Sequence, residues 1–186
     1  MKIGIYTAAL VALAIAPRIA ASQQATMAAT SANPVSDAFR DYAKSSEKNL
    51  IAAAEAFSAD KYGYKPTPAQ MSVGDIVVHL SQGNDYLCGA IGGMKAPQRT
   101  TVAATESKEA LVARLRETFA FCDQALASVT DATMGEQLPF FGGRKMTRAA
   151  IMTLTTGDWA DHYSQYANYL RLNGMLPPTA NRSAGQ

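Results

Sequence analysis

A long proline-free stretch, residues 147 to about 173, sets the dimensions of whatever this chain folds into. Thr147 is a plausible helix cap, Gly174 suits a left-handed position just past the end, and Pro177-Pro178 forbid continuation. At about 1.5 Å per residue, such a helix runs roughly 40 Å. Three other stretches have the same character. The first begins near residues 34–36 and extends to about Phe57, with Phe39, Tyr42, Leu50, Ala53 and Phe57 as its apolar stripe, interrupted at residues 45–49. The second starts at Ser72, whose hydroxyl is placed to cap while Asp75 reaches back. Met71 and Ile76 flank it as a hydrophobic staple, and Gly92-Gly93 follow its last turn near Ile91. The third runs from about Ser107 to Val129 on Leu111, Leu115, Phe119, Cys122, Leu126 and Val129, close to ideal helical spacing.

Alanine is abundant and Val/Ile alternation nearly absent, which favours helix over sheet. The expected class is therefore all-α: one four-helix bundle over residues 34–178. The middle connections, which include the loop through Pro97 as well as residues 59–70 and 131–145, are long enough for crossovers, so an up-down-up-down order is not implied. Within the latter, residues 140–145 suit a small turn with apolar flanks.

Ahead of the bundle, residues 1–22 read as a secretion signal. Lys2 supplies the positive end, residues 3–16 the apolar run, and Ala20-Ala21-Ser22 a small-residue cleavage site before Gln23. The run is shorter than the roughly 20 residues a bilayer span needs, although Pro17 and Arg18 leave an uncleaved anchor as the alternative. Residues 23–33 read as a flexible leader and 179–186 as a disordered tail. The expected location is periplasmic or extracellular, with no membrane association after cleavage.

Losing Lys2 and Arg18 with the signal takes Lys+Arg from 17 to 15, against 15 Asp+Glu. A neutral chain without a basic cluster disfavours nucleic acid as a partner. Export would place Cys88 and Cys122 in an oxidising compartment. A disulfide between them and two buried thiols both fit the sequence, while the absence of a CxxC spacing argues against redox catalysis.

The chain has two histidines, His79 and His162, each well inside a predicted helix. Asp158 precedes His162 by four residues, so both project from one helix face. Continued along the helix, that face reads Ile151, Leu154, Asp158, His162, Gln165, Tyr169 and Leu172, apolar at its ends and polar in the middle, as a ligand pair in a bundle core would be. A solvated surface pair is the plainer reading of the same spacing. Tyr163, Tyr166, Tyr169 and Trp159 read first as packing residues, and Glu136, Arg144 and Lys145 as solvated loop charges.

Asp161-His162-Tyr163-Ser164-Gln165, followed by residues 169–174 and Pro177-Pro178, resembles the fourth helix of DinB-like proteins. This bacterial family is commonly described as metal-dependent hydrolases. Ser72, Gly74 and His79, leading through Leu87-Cys88 to Gly92, resemble its second helix more loosely. The resemblance covers residues 38–178 in order and implies a four-helix bundle of crossover topology. It also implies a divalent metal held by His79 on the second helix and a pair on the fourth, Asp158 and His162. The family's usual first member of that pair is histidine. Asp158 either ligates as a carboxylate, giving two histidines and one carboxylate suited to Zn, Ni, Fe or Mn, or marks a site that no longer binds. Gln165 is a candidate to steady a ligand. Three protein ligands leave positions open for substrate, as in catalytic zinc sites.

The implied function is metal-dependent hydrolysis of a small-molecule substrate. Thiol S-transfer, known among relatives, and metal or small-ligand binding without turnover are the alternatives. The resemblance also implies a homodimer. No catalytic triad order, phosphate loop or nucleotide fingerprint is present.

Overall fold

The computed structural model describes residues 31–180. The predicted signal, residues 23–30 of the leader and residues 181–186 of the tail lie outside the described residues. Four helices carry the fold: α1 (Pro34–Ala56), α2 (Val73–Gly92), α3 (Lys108–Leu126) and α4 (Arg148–Leu172). The architecture is all-α, as the helical spacing requires. One detail differs from a strand-free expectation. Before α4, β1 (Gln137–Pro139) and β2 (Lys145–Thr147) form an antiparallel hairpin in which Leu138 opposes Met146. Strands of three residues are too short to show a period of two.

Local chemistry sets most helix ends. The Ser72 hydroxyl accepts from the Asp75 N–H at 3.1 Å, and the Asp75 carboxylate accepts from the Ser72 N–H at 2.9 Å, completing the expected capping box. Ser107 caps α3 and Thr147 caps α4, each through its hydroxyl at 3.2 Å. At the end of α4, Gly174 adopts φ +72°, the Gly174 N–H bonds to the Arg171 carbonyl and the Met175 N–H to the Leu170 carbonyl. That pair of bonds is a Schellman closure, and the positive φ is what favours glycine there. Helix α1 has no cap of its own. Its first amides, Val35 and Ser36, donate instead to the carboxylate of Asp131 at 3.0 and 2.8 Å, almost a hundred residues away.

Contacts between elements fix the order. Helix α1 packs on α3 and α4, as does α2. Asp131, beyond the C-terminal end of α3, meets the start of α1, while Lys108 at the start of α3 bonds the Glu55 and Phe57 carbonyls at the other end. The two helices are therefore antiparallel. By contrast Asn84, Cys88 and Gly92 of α2 meet Thr118, Cys122 and Ala125 of α3 in ascending order, so these two run parallel. Helix α4 runs antiparallel to α2, since Tyr166 bonds the Val73 carbonyl and Trp159 bonds Asn84. The direction is thus down, up, up, down. Residues 93–107 must return the full length of the bundle between the two parallel helices.

Cys88 and Cys122 are joined by a disulfide across that parallel pair, with Cα atoms 5.0 Å apart. One turn on, α2 and α3 approach so closely that a Cβ on Gly92 would lie 2.1 Å from the Ala125 carbonyl oxygen. The core is built on Trp159, Tyr166, Tyr169, Phe57 and Phe119, all essentially without exposure. The polar atoms of Trp159, Asn84 and Thr118 within it are paired. Trp159 Nε1 donates to Asn84 Oδ1 at 2.8 Å, Asn84 Nδ2 to Thr118 Oγ1 at 3.2 Å, and Thr118 to the Leu115 carbonyl. This chain of bonds crosses α4, α2 and α3. It satisfies groups that would each cost about 1–3 kcal/mol if buried unpaired.

The ends of the bundle are more ordered than the composition suggests. Asn33 accepts from the Asp131 N–H, and Thr179 both accepts from and donates to the Tyr163 hydroxyl. No helix among the described residues is long and apolar enough to cross a membrane.

Candidate metal centre

His79 stands in the second turn of α2, four residues beyond the capping-box Asp75. Asp158 and His162 stand one turn apart in the middle of α4. Because α2 and α4 run antiparallel and in contact, these positions meet at the same height. His79 Nε2 lies 3.3 Å from Asp158 Oδ1, and His162 Nε2 lies 3.3 Å from the same oxygen. The two imidazoles pack edge to face with centroids 4.6 Å apart. One ligand atom from each of the three residues falls within 4.8 Å of the others, and this is the one such His/Cys/Asp/Glu group found among the described residues. The spacing suits donors around a single ion with short nitrogen and oxygen bonds.

The three side chains differ in exposure. His162 is 8% exposed, Asp158 25% and His79 47%, so the cluster opens to solvent on the α2 side. Burial alone would push the Asp158 carboxyl up. Hydrogen bonding and charge from His162, then from His79, outweigh it and hold the group below its ordinary value. Asp158 is therefore an anion between two imidazoles. Gly83 leaves room beside it, since a Cβ there would come 3.6 Å from Asp158 Oδ2.

His162 Nδ1 is buried and has no hydrogen-bond partner. The nearest carboxylate oxygen is Oδ2 of the exposed Asp161, 4.0 Å away, and Gln165 Nε2 donates to that same oxygen at 2.8 Å. The Gln165 amide thus donates to Asp161 rather than to one of the three ligand candidates. It steadies Asp161, which heads the fourth-helix motif but is given no role of its own by the sequence. An imidazole that binds a cation through Nε2 carries its proton on Nδ1, and a neighbouring carboxylate is the usual acceptor for it.

The face drawn through α4 from Ile151 to Leu172 is corrected in part. Ile151, His162 and Tyr169 are buried, whereas Leu154 and Leu172 are 46% and 65% exposed. The buried stripe instead follows Ile151, Thr155, Trp159, His162, Tyr166 and Tyr169, placing Asp158 on its flank. Trp159, Tyr166 and Tyr169 are buried with their N–H or O–H groups spent on Asn84 and on the Val73 and Met71 carbonyls. On α1, Tyr42 is likewise half-exposed rather than core. Glu136 is exposed but pairs at 2.6 Å with Arg148, which is 9% exposed in its side chain.

Residues 43–166, more than half of the chain, match the family model described as the DinB superfamily. Among solved structures, a DinB-like protein from Bacillus subtilis is similar at TM-score 0.60 and 21% identity, over 74% of this chain and 92% of that one. A DinB-like protein from Bacillus cereus is similar at TM-score 0.61 and 16% identity, over 76% and 95%. A conserved protein from Enterococcus faecalis has TM-score 0.58 and 14% identity, over 71% and 92%. No curated protein matches the sequence.

Proposed function

The chain belongs to the DinB superfamily, and from that premise we propose that it is an exported metal-dependent hydrolase holding one divalent ion through His79, Asp158 and His162. The observation that carries the proposal is the convergence of three donors from two helices within 4.8 Å, open to solvent on one side. Two imidazoles and one carboxylate form a borderline-hard donor set suited to Zn, Ni, Fe(II) or Mn. When bound, such an ion supplies a Lewis acid for polarising an acyl or similar oxygen.

The chain's own residues prepare that chemistry. Asp158 is held anionic between the imidazoles and offsets part of a cation's charge. Asp161, steadied by Gln165, stands on the Nδ1 side of His162 and favours the tautomer that leaves Nε2 free. Export is supported by the Cys88–Cys122 disulfide, because such bridges persist in oxidising compartments.

The test is elemental analysis of protein purified from its native compartment without added metal, beside His162→Ala and Asp158→Ala. It is followed by turnover assays on esters, amides and electrophile-plus-thiol pairs. About one ion per chain, lost in both variants, with hydrolysis that disappears alongside it, is the expected result. Turnover confined to thiol pairs would move the activity to S-transfer. Metal without turnover would leave a binding protein, and equal metal in all three proteins would overturn the site.

A further inference from the structure

Hydrogen bonds tie α2 to α4 on either side of the metal centre. Near the start of α2 the Tyr166 hydroxyl donates to the Val73 carbonyl at 3.3 Å, and farther along Trp159 Nε1 donates to Asn84 Oδ1 at 2.8 Å. His79 falls between Val73 and Asn84 on one helix, and His162 between Trp159 and Tyr166 on the other. Asp158 immediately precedes Trp159. Gly83, at which a Cβ would come 3.6 Å from Asp158 Oδ2, immediately precedes Asn84. The Asn84–Trp159 bond therefore stands one residue beyond the approach of Asp158 to α2, on both helices at once.

Both partners of that bond are held by further contacts. Asn84 is 1% exposed, and its Nδ2 donates to Thr118 Oγ1 on α3, which leaves Oδ1 as the atom turned to α4. The buried indole of Trp159 packs against Phe39 of α1 and Phe119 of α3, with ring centroids 5.9 and 5.8 Å away. Apolar packing is non-directional and by itself specifies the register of two helices weakly. A buried hydrogen bond specifies it well, because sliding the helices would strand a donor and an acceptor. One buried asparagine fixes the register of coiled coils for this reason. A metal centre needs such a constraint, since ligand distances tolerate errors of only about 0.2 Å. His79 is on a different helix from Asp158 and His162, so the centre feels any slide or roll of α4 on α2.

We propose that Asn84 is a positioning residue for the metal centre. By pairing with Trp159 it sets where α4 lies along and around α2, and so the distances from His79 to Asp158 and His162. It acts through the helices, its amide being spent on Trp159 and Thr118. The inference rests on the metal reading of the three ligand candidates. A role in stability alone makes a different prediction. Replacing both partners of a buried hydrogen bond by apolar groups of like shape is nearly neutral for stability, whereas positioning is lost with the bond however well the replacements pack.

The chain contains one tryptophan, so biosynthetic incorporation of benzothienylalanine, with sulfur in place of the indole N–H, edits Trp159 alone. Asn84→Leu, the sulfur analogue, both changes combined, Asp131→Asn and His162→Ala are compared with the unaltered full chain. Each protein is stripped with chelator and its urea midpoint measured. Zn(II) affinity then follows from competition with a chromogenic chelator, and the visible spectrum is recorded with Co(II). Zn(II) affinity is expected to fall at least about tenfold in Asn84→Leu and in the sulfur analogue. The combined change should recover the urea midpoint but not the affinity, and the Co(II) spectrum should differ from that of the unaltered protein in all three. Asp131→Asn, which loosens the start of α1, should bind Zn(II) normally despite a lowered midpoint. If Asn84→Leu alone does not fold, the combined variant, which leaves no indole N–H unpaired, carries the comparison. Unchanged affinity and spectrum in these variants, with binding abolished in His162→Ala, overturns the role of Asn84 and leaves the centre standing. Affinity that tracks the urea midpoint across every variant, Asp131→Asn included, also overturns it. An unaltered protein that binds neither Zn(II) nor Co(II) would sink the metal reading itself, and this role with it.

Discussion

Asp158 answers to two histidines at once. Its Oδ1 is 3.3 Å from Nε2 of both His79 and His162, so one carboxylate oxygen stands near the point where a cation would replace the shared contact. On the proposed reading, losing His162 removes the most buried ligand, and His162→Ala should strip the ion entirely. Losing Asp161 removes only the carboxylate that stands 4.0 Å from Nδ1. Asp161→Ala should keep the ion but weaken it by roughly tenfold, measured by competition with a chromogenic chelator. Equal affinity in Asp161→Ala and the unaltered protein would remove Asp161 from any orienting role. The three candidate ligands were legible in the sequence because histidine is so scarce that only two positions competed. Asp161 was not legible, since its relevance depends on the direction in which the ring of His162 turns.

Helix ends and helix packing carry the next scale. The carboxylate of Asp131 receives the first amides of α1 and the Ser36 hydroxyl. Burial there pushes its carboxyl up, but hydrogen bonds from Val35 and Ser36 together outweigh it, so the group sits below the ordinary value of 3.8. A carboxylate whose folded pKa is depressed stabilises the fold above the unfolded value and loses that contribution as pH falls through the folded one. Asp131→Asn should therefore lower Tm at pH 7, with the gap between variant and parent narrowing below pH 3.8. A gap independent of pH would mean that the charge does not matter. At the same end of α3, Gly92→Ala would force a Cβ into the Ala125 carbonyl while the disulfide one turn away resists separation of the helices. A loss of about 1–3 kcal/mol by urea denaturation is expected. The caps of α2 and α4 could be read from Ser72 and Thr147 because each cap lies within four residues of what it caps. The Asp131 cap could not, because its partner is nearly a hundred residues away. The buried face of α4 departs from the line drawn through Ile151 and Leu172 because Thr155, Trp159 and Tyr166 are buried where Leu154 and Leu172 are exposed.

The whole molecule is organised around one unusual requirement, the parallel alignment of consecutive helices α2 and α3. Parallel neighbours cannot be joined by a tight turn, and residues 93–107 must travel back along the bundle without helix or strand of their own. Sequence length permitted this crossover but did not demand it. The choice becomes visible only when Asn84, Cys88 and Gly92 are seen against Thr118, Cys122 and Ala125 in the same order. The disulfide closes the loop that contains this return segment, with a sequence separation of 34 residues. A cross-link of that span restricts the unfolded chain by an amount corresponding to roughly 3–4 kcal/mol in the loop-entropy model. It also ties α2 to α3 close to Gly93, where the return segment leaves α2. Reduction, or Cys88→Ala with Cys122→Ala, should therefore lower the urea midpoint substantially without changing the folded far-ultraviolet spectrum. Amide hydrogen exchange should then rise first in residues 94–107, before the middle of α1 or α4. The metal centre joins α2 to α4 rather than α2 to α3, so metal content should survive reduction under native conditions. Concerted loss of metal and of protection in the return segment would mean that the two sides of α2 form one cooperative unit.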